Sequence, residues 1–133
     1  MAKLAAFDSD DLLVISAHLE RAKIRRADMA FLPKDQRFVM ALDRPSAETP
    51  QEYRPTGLHF ERVTRVMTSR DIPQDASATL TLLGMTFEQV DPPSGYVVLL
   101  FEGGGAIRLS VECLEAAMMD LVTPSSSNTA DHA

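Results

Sequence analysis

The sequence has no tryptophan, one cysteine and three histidines, and aromatic residues make up 6% of its 133 positions. With a single thiol, Cys113, no internal disulfide can form. Metal binding needs several convergent ligands, and His18, His59 and His132 form no close pair with one another or with Cys113. No metal and no cofactor is expected. Long apolar runs are absent too. The longest, Tyr96 to Phe101, suits a buried strand and falls far short of the roughly 20 residues of a membrane span. The apolar stretch after Met1 is too short for a signal-peptide core and meets Asp8 at once. The expectation is a soluble cytoplasmic protein with no membrane partner.

Basic charge is scarce after residue 70, where only Arg108 stands against nine acids. Residues 21–70 are the reverse, with eleven basic and six acidic side chains. The overall charge of −6 disfavours nucleic acid as a partner, as does the lack of aromatics interleaved with the basic residues. The two unlike regions are expected to pair across a sheet.

What is present is a globular composition, 45% hydrophobic and 24% charged, enough for one domain. A single domain is expected over residues 1–122, with a disordered tail over 123–133 rich in Ser, Thr and Asn. Asp8 or Ser9 can cap a helix over residues 9–20, where Leu12, Ile15 and Leu19 share one face. A strand pattern over 23–32 carries a kink near Arg26 to Asp28, because Ile24 is out of phase with Met29 and Phe31. After a turn at 33–36, Phe38, Met40 and Leu42 alternate with polar residues, which predicts a hairpin. Residues 44–56 hold three prolines and read as a long mobile loop.

Strands are further predicted around 58–66 and 79–87, each with a phase slip, and Gly84 marks the second slip. The run Val97 to Phe101 is apolar on both parities, so both faces should be covered. Gly103-Gly104-Gly105 is a hairpin turn and not a phosphate loop, because a strand pattern (Ile107, Leu109, Val111) follows it instead of a helix. Leu114, Met118 and Leu121 lie at helical spacing and predict a C-terminal helix over 112–122, with Cys113 a small buried residue. The expected fold is α+β and mostly antiparallel: a bent sheet or small barrel of six to seven strands, with an N-terminal and a C-terminal helix. Its outline resembles a pleckstrin-homology domain.

Three stretches carry a more specific resemblance: residues 11–19 (Asp-Leu-Leu-Val-Ile-Ser-Ala-His-Leu), residues 57–66 (Gly-Leu-His-Phe-Glu-Arg-Val-Thr-Arg-Val), and residues 101–109 (Phe-Glu-Gly-Gly-Gly-Ala-Ile-Arg-Leu) with Glu112-Cys113. Together they resemble a family of small alphaproteobacterial proteins known only as a domain of unknown function, number two-nine-four-eight. The resemblance spans nearly all of the chain except its tail. It implies a cytoplasmic bacterial protein and brings no catalytic residue or cofactor with it.

No constellation for nucleophilic catalysis is visible, and there is no Gly-x-Ser-x-Gly turn. The leading expectation is therefore a non-catalytic protein-binding or adaptor domain. It would meet its partner through a strand edge, a basic strip or the 44–56 loop. One alternative is a sensor of a small anionic ligand held by Arg25, Arg26, Arg62 and Arg65. Another is a small enzyme centred on His59 and a nearby carboxylate, which requires a concave surface around His59. His59 lies between Leu58 and Phe60, so it points away from their face, toward Glu61. A homodimer through a strand edge is compatible with each reading.

Overall fold

The computed structural model describes residues 3–46 and 52–121. The described residues form one α-helix and ten strands, all paired antiparallel. In chain order these are β1 (Lys3–Ala6), α1 (Ser9–Leu19), β2 (Lys23–Arg25), β3 (Met29–Leu32), β4 (Arg37–Pro45), β5 (Tyr53–Phe60), β6 (Val63–Thr68), β7 (Thr79–Gln89), β8 (Gly95–Phe101), β9 (Ala106–Val111) and β10 (Ala116–Asp120). The strands lie in the order β1-β10-β5-β4-β2-β7-β8-β9-β6, with β3 also paired to β4. The path ends at β1 and β6, so the sheet is not closed into a barrel.

Helix α1 forms where its cap and its spacing require. The Asp8 carboxylate accepts the Asp11 N–H at 2.8 Å, and the Asp11 carboxylate accepts the Phe7 N–H at 3.1 Å. Leu12, Ile15 and Leu19 are fully buried, each contributing about 1.5–3 kcal/mol of apolar burial. They pack into one core with Leu58, Phe60, Leu82, Met85, Leu99, Phe101, Ile107 and Leu109. The kink expected after Arg25 is a single 3₁₀ turn over Arg26–Asp28 that separates β2 from β3. At Gly84 the β7–β8 register slips. There the Ser16 hydroxyl of α1 comes within bond distance of the Met85 N–H and accepts it at 2.9 Å. The triple glycine is a hairpin turn: Gly103 and Gly104 hold φ of +92° and +96° between β8 and β9.

Several expectations are corrected. Among the described residues ten strands replace six or seven and one α-helix replaces two, so the pleckstrin-homology-like outline, with its helix after the last strand, does not match. Residues 112–115 form a bend, and Ala116–Asp120 is strand β10, inserted between β1 and β5. Ala116, Met118 and Asp120 point inward, while Met119 and Leu121 are 45% and 42% exposed. Cys113 is accordingly half-buried in that bend. Much of the proposed loop is strand as well, since β4 runs to Pro45 and β5 starts at Tyr53. Residues 47–51 and the proposed tail at 123–133 lie outside the described residues. The outer face of β8 is not covered at Leu100, which is 44% exposed, and Leu83 stands out at the β7 bulge.

The oppositely charged regions do meet. Arg21–Glu102, Arg44–Asp120 and Arg62–Glu115 each join the basic middle of the sequence to its acidic later part. The second pair is buried. Arg44 donates twice to the Asp120 carboxylate, at 2.8 and 2.7 Å, and the Thr56 hydroxyl donates to the same carboxylate at 3.1 Å. This cluster fastens β4, β5 and β10 to one another from the core side.

Candidate functional site

The order β1-β10-β5-β4 places residues distant in sequence side by side on the outer face of the sheet. Two rows follow from the register. Lys3, Met119, Gly57 and Ala41 stand across one row, and Ala5, Ala117, His59 and Val39 across the next. An antiparallel sheet with one face on the core normally turns polar residues to the other face. Here most of those outward positions are small or apolar. Their small size leaves a depression of about 570 Å³. Its floor is Ala5, Ala117 and Gly57, and its walls include Lys3, Met119, Val39 and His59. Lys3 and His59 supply the only polar side chains among the lining residues.

His59 is held in one orientation. Its Nδ1 lies 2.7 Å from Glu61 Oε2, and the Arg37 Nε–H donates to the same oxygen at 2.8 Å. Burial acts to raise the Glu61 pKa, but the hydrogen bonds from Arg37 and His59 together outweigh it, so the carboxyl sits below its ordinary range. The same contact, through its hydrogen bond and its charge, raises the Arg37 pKa. At neutral pH Glu61 is therefore ionised and only accepts, which places the imidazole proton on Nδ1. Nε2 is the ring nitrogen left to meet an occupant of the depression.

The other candidates fall elsewhere. Arg25, on β2, is exposed and donates to Asp28 at 3.1 Å. Arg26 begins the 3₁₀ turn, and its Nε is buried with no hydrogen-bond partner among the described residues. Arg62 lies between β5 and β6 at a φ of +59° and faces Glu115 at 3.7 Å. Arg65 is exposed on β6. Strand β2 pairs with β4 and β7, whereas β6 pairs with β9. The strand pairing thus does not bring Arg25 and Arg26 beside Arg62 and Arg65. Among the described residues, no three His, Cys, Asp or Glu side chains gather as a metal site, and no helix is long and apolar enough to cross a membrane.

His59 and Glu61 were legible as neighbours on one strand face. Lys3, Ala117 and Met119 were not, because a helix reading of residues 112–122 removes the strand that joins β1 to β5; Arg37 reaches Glu61 from β4 through the β4–β5 pairing.

An open antiparallel sheet with one capped helix, bearing an apolar outer face, is the class of protein these features define. The chain belongs to the DUF2948 family, described as proteins of unknown function, whose profile matches residues 2–132. No curated protein and no solved structure matches it.

Proposed function

We propose that this protein is a non-catalytic binding domain whose working surface is the outer face of β1, β10, β5 and β4. Its occupant is an apolar segment of another protein that carries an acidic group. One observation carries the reading: an apolar depression occupies a sheet face where solvent-facing polar residues belong. Charge selects the occupant. Glu61 and Glu115, at one end of the face, are each met by an arginine, while Lys3 has no ion pair among the described residues. The strand edges are poorer docking sites. Strand β1 is four residues long and carries Lys3, and β6 is bulged between Val63 and Arg65.

A second reading has one observation behind it. An imidazole oriented by an ionised carboxylate beside a concave surface is half of an acid–base site. The lining residues include no serine, threonine, cysteine or carboxylate to supply the other half, which favours binding over reaction.

The test is selection of a random twelve-residue peptide library on the purified protein. The best peptide is then mapped by chemical-shift changes. Shifts should cluster on Ala5, Ala117, Gly57 and Val39. Ala117→Arg, which fills the depression from an outward position, should abolish binding while the protein keeps its circular dichroism and melting temperature. Failure to select a peptide, shifts that map elsewhere, or binding that survives Ala117→Arg refutes the reading.

A further inference from the structure

The depression offers one hydrogen-bonding atom whose role is fixed. Glu61 is ionised and only accepts, so the His59 proton sits on Nδ1 and Nε2 is left as an acceptor. Among the described residues no group donates to Nε2. Covalent geometry gives that acceptor a direction. The two imidazole nitrogens lie on opposite sides of the line from Cβ through Cγ. A ring that turns Nδ1 toward Glu61 therefore tilts Nε2 the other way along β5, toward Gly57. Gly57 stands two residues back on the same outward face, and a methyl there would meet only Leu121, at 3.5 Å. Ala117 and Met119 flank His59 and Gly57 from β10. The space in front of Nε2 is thus open, and its floor is small and apolar.

An occupant that satisfies this acceptor has to bring one donor on an apolar body. A hydroxyl or a side-chain amide also brings acceptor oxygens, which apolar walls would leave unpaired. A lysine or arginine would bury its charge against alanine and glycine. Indole is the one side chain with a single neutral donor and no acceptor. Its flat ring matches a floor of Ala5, Ala117 and Gly57, and the Met119 thioether in the wall is a group that packs well on an aromatic edge. We infer that the depression is a tryptophan seat: the indole of the bound segment lies over Gly57 and Ala117 and donates its Nε1–H to His59 Nε2. The sequence contains no tryptophan, so a second copy of it cannot supply the ring. Glu61 and Arg37 are positioning residues here, since both act by holding the imidazole and its tautomer.

This inference rests on the binding reading above, and its test separates the two. Peptides selected from the library should carry a tryptophan. All indole fluorescence then comes from the peptide, and it should move to shorter wavelength on binding. The probe is the best such peptide, beside a copy with benzothienylalanine for the tryptophan, which puts sulfur in place of the N–H and keeps the ring. Both are measured at about pH 8, where an imidazole is ordinarily neutral. The copy should bind about fivefold more weakly, the worth of one neutral hydrogen bond. His59→Phe should weaken the tryptophan peptide by a similar factor and leave the copy unchanged, whereas a merely structural loss would weaken both. Imidazole nitrogen NMR shifts of the free parent should report the proton on Nδ1, and Glu61→Leu should abolish that preference together with the discrimination between the peptides. Equal affinity of the two peptides for the parent, a parent imidazole protonated on Nε2, or selected peptides without tryptophan overturns the seat. If Ala117→Arg still abolishes binding in that case, the apolar face stands and only the seat is lost. Failure to select any peptide removes both.

Discussion

Replacing Asp120 by alanine should be among the most damaging single changes in this protein. The carboxylate and its guanidinium partner keep only 6% and 9% of their side-chain surface exposed. Two hydrogen bonds at 2.8 and 2.7 Å, and a third from Thr56, compensate their removal from water. Asp120→Ala removes the carboxylate from a guanidinium that stays buried, while the Thr56 hydroxyl keeps its bond to the Arg54 carbonyl. Breaking one side of such a pair costs about 3–5 kcal/mol. That is a large part of the roughly 5–15 kcal/mol that holds a domain folded. With a urea dependence of about 2 kcal/mol per molar, the midpoint should fall by about 1.5–2.5 M. The double variant Arg44→Met/Asp120→Val removes both charges and puts apolar side chains in their place, so it should recover most of the loss. Glu102→Ala serves as the control: its pair with Arg21 is more than half exposed on both sides, so its midpoint should scarcely change. A loss under 1 kcal/mol for Asp120→Ala, or a double variant no better than the single, would refute the argument.

Four further outcomes are expected. Gly103→Ala should cost about 1 kcal/mol in thermal denaturation purely from backbone strain, because its φ is +92° and nothing lies within 4 Å of the added methyl. Gly57→Ala should be close to neutral for folding, since its methyl meets only Leu121 at an ordinary 3.5 Å, and it should narrow the depression. Asp8→Ala should lower stability by about 1 kcal/mol and leave the first turn of α1 exchanging faster with solvent in amide hydrogen exchange. The fourth concerns pH. Because the folded pKa of Glu61 is lowered, its contribution is complete above the ordinary carboxylate range and is lost as pH falls through the lowered value. Urea melts from pH 6 down to pH 3 should therefore show a shallower acid decline for Glu61→Gln than for the parent, and an unchanged slope would contradict the pairing.

The readable parts of the sequence were those governed by local chemistry. Asp8 with the 12, 15, 19 spacing specified α1, the parity break after Ile24 specified the turn at 26–28, and Gly84 specified the β7 slip. The triple glycine specified its hairpin because the backbone there must adopt positive φ. Residues 112–121 defeated the same reasoning. Alanine and methionine favour helices, and Leu114, Met118 and Leu121 are correctly spaced for one. Yet Ala116, Met118 and Asp120 also alternate, and pairing on both sides with β1 and β5 decides between the two patterns. An inward Asp120 makes sense only beside Arg44, 76 residues earlier in the chain. The candidate site was half hidden for the same reason. His59 and Glu61 are two residues apart on one strand, whereas Lys3, Ala117 and Met119 reach them only through β10.

The position of β10 also dictates a timetable for synthesis. Among the described residues strand β1 pairs with β10 alone, and β10 supplies one side of β5. A nascent chain that has released α1, β4 and the β7–β8–β9 meander still presents two raw hydrogen-bonding edges. They close together only after residue 120 has left the ribosome. Such long-range closure slows folding and lengthens the interval in which those edges can recruit the wrong strand. A premature stop before residue 116 would leave that interval permanently open.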